Sequence, residues 1–148
     1  MPNQKIAWIE NGIVKNMVYD RYWARQAGKP PTPMPTHLIL QGGDKSLAEL
    51  IASVERGFLV TRFWYIRLLN PQTAQFTGLT RDGLFLIENG KIAAPAVNLR
   101  FNESPVRLLQ NTIAAGRAIR VRGGEGQGMI VPPLVVKDFN FTSISDAV

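Results

Sequence analysis

Between Phe58 and Leu69 the chain carries apolar residues on both sides of an extended segment, which limits its possible folds more than any other stretch. Side chains alternate across a strand with a period of two. Phe58, Val60, Trp64, Ile66 and Leu68 therefore fall on one face, and Leu59, Phe63, Tyr65 and Leu69 on the other; Arg62 and Arg67 interrupt one face each. A strand that is apolar on both faces calls for cover on both, and half of that cover can come from another domain or a partner subunit. Phe58, Val60, Phe63, Trp64, Tyr65 and Ile66 are thus the candidate interface residues. Asn70-Pro71 ends the strand, since proline has no amide to donate.

Two hairpins share the tetrapeptide Ile-Glu-Asn-Gly, at Ile9–Gly12 and Ile87–Gly90. Asn-Gly accepts the positive φ angles of a tight two-residue turn. The first hairpin joins Lys5–Ile9 to Ile13–Val18, and the second joins Gly83–Glu88 to Lys91–Ala93. Further strands are expected at His37–Leu40, Val97–Phe101, Ala118–Arg122 and Leu134–Phe141, followed by a polar tail, Thr142–Val148. Pro95 marks an edge or a bulge.

Three helices are expected. Asp20 caps one that runs to about Ala27 and stops at Gly28. Ser46 and Glu49 form a capping box for the second, whose Leu47, Leu50, Ile51 and Val54 share one face before a C-terminal Gly57. Ser104-Pro105 opens the third, with Val106, Leu109 and Ile113 on one side and Gly116 at its end. Between the first two lies Lys29–Pro35, whose four prolines exclude helix and central strand. The sum is an α+β fold, mainly antiparallel β-sheet with about three short helices, in one domain spanning 1–148.

The side-chain inventory removes most common catalytic plans. With no cysteine, disulfides, thiolate metal sites and cysteine nucleophiles are excluded; with one histidine, so is a two-histidine metal motif. His37 has no serine or aspartate at a recognisable triad spacing. Glu10 and Glu88 occupy equivalent hairpin positions and read as turn-flanking polar residues. The run Gly123–Gly128 (GGEGQG) has phosphate-loop composition but leads into Pro132-Pro133 rather than a helix, so it reads as a connector. Trp8, Trp23 and Trp64 read as packing residues. The net charge of +6 is spread thinly; its densest cluster is Arg117, Arg120 and Arg122, which reads as a solvated surface rather than a nucleic-acid site. No apolar run reaches bilayer length and no signal peptide opens the chain, so a cytoplasmic location without membrane contact is expected.

An ordered set of segments goes beyond composition. Asp20-Arg21-Tyr22-Trp23-Ala24-Arg25 precedes a Gly/Pro stretch; Ser46–Ile51 is followed by Glu55–Thr61; Asn70–Thr73 leads to Phe76-Thr77-Gly78; then come Gly83–Ile92, Pro95 and Pro132-Pro133-Leu134. Together they resemble the C-terminal domain of the TldD/PmbA (TldE) family over nearly the whole chain. The resemblance implies a C-terminal part of a longer protein. That family comprises zinc metallopeptidases and catalytically silent partners of them, which act on small or unfolded peptides, associate as homodimers or TldD–TldE heterotetramers, and carry the older name of DNA gyrase modulators.

In active members, the resemblance further implies, zinc is held by a His-Glu-x-x-x-His helix and a cysteine in a Cys-Gly-x-x-Gly-Gln context. The first motif is absent here, and the nearest match to the second is Arg122-Gly123-Gly124-Glu125-Gly126-Gln127. Arg122 stands at the cysteine position, and a guanidinium has no lone pair to offer a metal at neutral pH. No cofactor is expected in this chain. Arg122, Gly123, Gly124, Gly126 and Gln127 become candidates for a peptide-groove loop. The leading expectation is a non-catalytic domain that assembles with itself or a relative and shapes a groove for peptides. The alternatives are part of an active zinc peptidase whose metal helix lies elsewhere, and a basic module that binds nucleic acid or gyrase.

Overall fold

The computed structural model describes residues 4–122 and 128–145. In chain order the elements are β1 (Ile9–Glu10), β2 (Ile13–Val14), α1 (Arg21–Gln26), β3 (Leu38–Ile39), α2 (Leu47–Ala52), β4 (Arg56–Asn70), β5 (Gln75–Glu88) and β6 (Lys91–Pro95). They continue with β7 (Leu99–Glu103), α3 (Pro105–Gln110), β8 (Thr112–Ala115), β9 (Ile119–Arg122), β10 (Gly128–Val131), β11 (Leu134–Val136) and β12 (Phe141–Ile144). The fold is α+β, mostly antiparallel sheet with three short helices. The chain divides into two compact units, Met1–Ile39 with Val121–Met129, and Leu40–Arg120 with Ile130–Val148.

In the first unit, β1 and β2 pair through a turn in which Asn11 (φ 52°) and Gly12 (φ 75°) take the expected left-handed angles. The Asp20 carboxylate accepts from the Trp23 amide at 2.8 Å and starts α1. The proline segment is fastened by Thr32, whose hydroxyl oxygen accepts from the Tyr19 amide at 2.8 Å while its own amide donates to the Tyr19 carbonyl at 2.9 Å.

The second unit is built on the five-stranded sheet ordered β12-β7-β5-β4, with β6 also paired to β5. Leu84 and Ile87 of β5 and Phe101 of β7 are buried, as is Leu50 of α2. Phe63, Phe101, Phe139 and Phe141 form a chain of ring contacts 4.9–5.5 Å apart between neighbours. Gly78 faces Phe101 across β5 and β7. A Cβ there would stand 2.6 Å from the Phe101 ring, so only glycine lets the ring lie on the strand. Asn89 (φ 49°) and Gly90 (φ 74°) turn β5 into β6 as Asn-Gly predicts.

Several boundaries differ from the sequence reading. Gly57 does not cap α2; the helix ends at a Ser53 cap, and Gly57 pairs with Ile87 inside β4. The third helix stops at an Asn111 cap, because Thr112–Ala115 leaves it to pair with Leu134–Val136 as β8. Its Ser104 gives no side-chain cap and donates instead to the Thr73 carbonyl at 3.1 Å. The expected strand Leu134–Phe141 is two strands in two sheets, parted where Asp138 takes a φ of 53°. Phe141–Ile144 pairs with β7, so the polar-looking tail begins as a strand. The alternation assigned to Phe58–Leu69 also fails, for a reason that shapes the site.

Candidate functional site

β4 lies at the end of its sheet order, and among the described residues it pairs with β5 on one side only. Of the six candidate interface residues, Phe58 (43%), Phe63 (36%), Trp64 (39%), Tyr65 (61%) and Ile66 (47%) are exposed, and Val60 is half-buried. The cover on both faces that the sequence calls for is not supplied by the described residues. β5, of similar length, is enclosed because β4 pairs with it on one side and β6 and β7 on the other.

The pairing register carries β4 opposite Arg81, Thr80 and Leu79 through Arg62, Phe63 and Trp64, then shifts so that Arg67 meets Thr77. One extra residue is inserted in β4, and Tyr65 there has a φ of 54°. This is a β-bulge with its left-handed position filled by an aromatic residue instead of glycine. Arg67 fastens it: its guanidinium lies 4.3 Å from the Tyr65 ring centroid, and Nη1 donates to the Ile66 carbonyl at 3.1 Å.

The bulge resets the faces. Arg81, Leu79 and Thr77 alternate along β5, so their partners Arg62, Trp64 and Arg67 share one face, together with Arg100, which pairs with Leu79 from β7. Without the inserted residue Arg67 would lie on the side of Phe63. Ile66, assigned to the Trp64 face by simple alternation, instead joins Phe63 in lining a cavity. On the arginine face, Arg62 and Arg81 lie 4.5 Å and 5.4 Å from the Trp64 ring. Asp82 meets Arg62 at 2.6 Å and Arg81 at 3.6 Å. Each of these guanidiniums has five N–H donors, so the contacts with Asp82 and the Ile66 carbonyl leave donors over for further carboxylate or phosphate oxygens.

The opposite face holds an apolar cavity of about 210 Å³ lined by Phe63, Ile66, Phe76, Phe101, Leu108, Pro105 and Phe139, with Glu103 at its wall. Glu103 is buried, and its two oxygens accept from the Ser104 amide at 2.9 Å and the Asn140 amide at 3.0 Å. Arg107 lies 3.9 Å away. The carboxylate is thus committed to holding β7, α3 and the segment before β12 together. Sequence reasoning passed over both this residue and the cavity, since neither a lone glutamate nor phenylalanines far apart in sequence carry a local signal.

Arg122 is the exposed last residue of β9; Gly123, Gly124, Gly126 and Gln127 lie outside the described residues. His37 precedes β3, and its Nδ1 meets the Thr36 hydroxyl at 3.1 Å. Glu10 and Glu88 are exposed strand ends. Trp23 is exposed and packs edge-on against Tyr22, 5.2 Å between centroids. Among the described residues no three His, Cys, Asp or Glu side chains come together to hold a metal. With one imidazole, no thiolate and a guanidinium at position 122, this donor set does not fit zinc. No helix among them is long and apolar enough to cross a membrane.

The described residues thus present an edge strand, β4, with an arginine-bearing face on one side and an aromatic cavity on the other. The model of the PmbA/TldA metallopeptidase C-terminal domain matches residues 1–143, and the chain belongs to that PmbA/TldD family. It is 29% identical over 138 residues to the metalloprotease TldD homolog of Buchnera aphidicola, covering 84% of this chain and 28% of that protein. The crystal structure of TldE from Thermococcus kodakarensis superposes with a TM-score of 0.75 at 24% identity, over 97% of this chain and 34% of the other. A candidate modulator of a DNA gyrase from Thermotoga maritima gives 0.76 at 25% identity, over 90% and 32%. One from Bacteroides thetaiotaomicron gives 0.73 at 28%, over 92% and 30%. The chain therefore spans about a third of the length of these relatives.

Proposed function

We propose that this chain is a non-catalytic assembly and peptide-holding domain of a TldD/PmbA-type protein, and that β4 is the strand that receives an extended chain. The carrying observation is that β4, a fifteen-residue strand at the end of its sheet, leaves most of its apolar side chains exposed beside a β5 with strands on both sides. A free edge binds extended chains by main-chain hydrogen bonds, which suits a protein family that handles peptides of varied sequence. The family's metallopeptidase name supports proteolysis as the setting; the metal donors would come from a segment or partner other than this chain.

The test is calorimetric titration of the chain with a neutral extended peptide, (Gln-Val)4, and with the same peptide N-methylated at alternate residues, run beside light scattering and a zinc assay. Binding that N-methylation abolishes, with no tight zinc and a self-associated or partner-associated state, supports the reading. A strict monomer that binds no peptide, or chelator-sensitive peptide hydrolysis by the purified chain, overturns it.

A further inference from the structure

Added to the edge of β4, an extended peptide would place alternate side chains over the two faces of the sheet. Those faces differ sharply along Arg62–Arg67. One carries Arg62, Arg67, Arg81 and Arg100, with Arg62 and Arg81 beside Trp64 and paired with Asp82. The other opens on the aromatic cavity to which β4 contributes Phe63 and Ile66. From this juxtaposition we infer that β4 selects extended segments in which acidic and apolar residues alternate, the carboxylates meeting the stacked arginines and the apolar side chains lying over the Phe63–Ile66 side. The inference rests on the peptide-holding reading above and names the class of peptide.

Charge complementarity chooses this occupant. β4 itself contains Arg56, Arg62 and Arg67 and no acidic residue, so a second copy of β4 laid against it would add like charges to like. A nucleic acid would find the cations, but its bases need open aromatic faces on which to stack. The Trp64 face is approached by two guanidiniums and the Tyr65 face by Arg67. Planar guanidiniums held on rings match carboxylates in a bidentate manner and lose little freedom on binding. The bulge at Tyr65 is what brings Arg67 to the same face as Arg62.

The experiment uses the whole chain and fluorescein-labelled peptides (Glu-Val)4, (Gln-Val)4 and (Lys-Val)4, with a twelve-residue oligothymidylate as competitor. Binding of (Glu-Val)4 about tenfold tighter than (Gln-Val)4, weakening with salt, is the expected result for several exposed charge pairs acting together. Arg67→Gln, whose fold is checked by circular dichroism, should lower (Glu-Val)4 affinity about threefold more than it lowers (Gln-Val)4 affinity, and an equal loss for both peptides overturns the acidic preference. Equal affinity for the Glu and Gln peptides overturns the acidic preference but leaves peptide holding intact. Absence of binding by all three peptides overturns both. Preferential binding of the oligothymidylate assigns the arginine face to nucleic acid instead and also overturns the inference.

Discussion

β4 and β5 are the two arms of one hairpin, fifteen and fourteen residues long, yet they live in different environments. β5 has strands on both sides and buries Thr80, Leu84 and Ile87. β4 has a neighbour on one side and leaves Trp64, Tyr65, Ile66, Leu68 and Leu69 exposed, although its composition is the more apolar. Burial here follows from sheet order rather than from hydrophobicity. The more apolar arm is the one left at the edge, where the described residues leave most of its apolar side chains uncovered.

The contrast predicts unequal costs for changes in the two regions. The largest belongs to the enclosed side: Phe101→Ala removes a buried ring that touches Phe63 and Phe139, and urea unfolding should show a loss of about 3–5 kcal/mol. Gly78→Ala comes next. Its methyl would overlap the Phe101 ring and the Trp64 carbonyl lies 3.2 Å away, so a loss of about 1–3 kcal/mol is expected in the same assay. Smaller still is Ser46→Ala, which removes the hydroxyl that accepts from the Glu49 amide; loss of a helix cap of this type costs about 1 kcal/mol in thermal unfolding.

The same cap carries a pH signature. The Ser46 amide, then its hydroxyl, donate to the Glu49 carboxylate at 2.8 and 2.7 Å and hold its pKa below the ordinary value, with Lys45 and Arg117 adding to the effect. A lowered native pKa means that the unfolded state binds the proton more readily. The stabilisation is present above the unfolded pKa and fades as pH falls through the native one. Glu49→Gln, which removes the titrating carboxylate, should therefore flatten the acid limb of the stability profile, and an unchanged limb would contradict the assignment. At the edge, Tyr65→Gly should leave stability within about 1 kcal/mol of the parent, because relief of a left-handed φ offsets the lost ring contact. A loss as large as that of Phe101→Ala would show that Tyr65 is buried in solution by a second copy.

Local chemistry made some of this architecture legible in the sequence. Both Asn-Gly turns, the Asp20 cap and the Ser46–Glu49 box are self-contained signals, each satisfied within a few residues. The errors occur where distant pairing decides. Thr112–Ala115 follows helical spacing but is captured by β11, and Leu134–Phe141 is divided between two sheets by a left-handed Asp138. At the site, the two apolar faces of Phe58–Leu69 are legible in the sequence, but the arginine face is not. Arg62 and Arg67 are five residues apart, an odd spacing that puts them on opposite sides of any regular strand. Only the inserted residue at Tyr65 brings them together. The family resemblance rested on the order of many short segments, and the match over residues 1–143 bears it out.

The central claim is that the outer edge of β4 is open and receives an extended chain. Amide hydrogen exchange resolved along β4 and β5, with and without (Glu-Val)4, tests it most directly. The account predicts that the β4 amides pointing away from β5 exchange rapidly in the chain alone and become protected on adding peptide, while the β5 amides stay slow throughout. Outward β4 amides that are slow before any peptide is added, or that stay fast at saturating peptide, would contradict it.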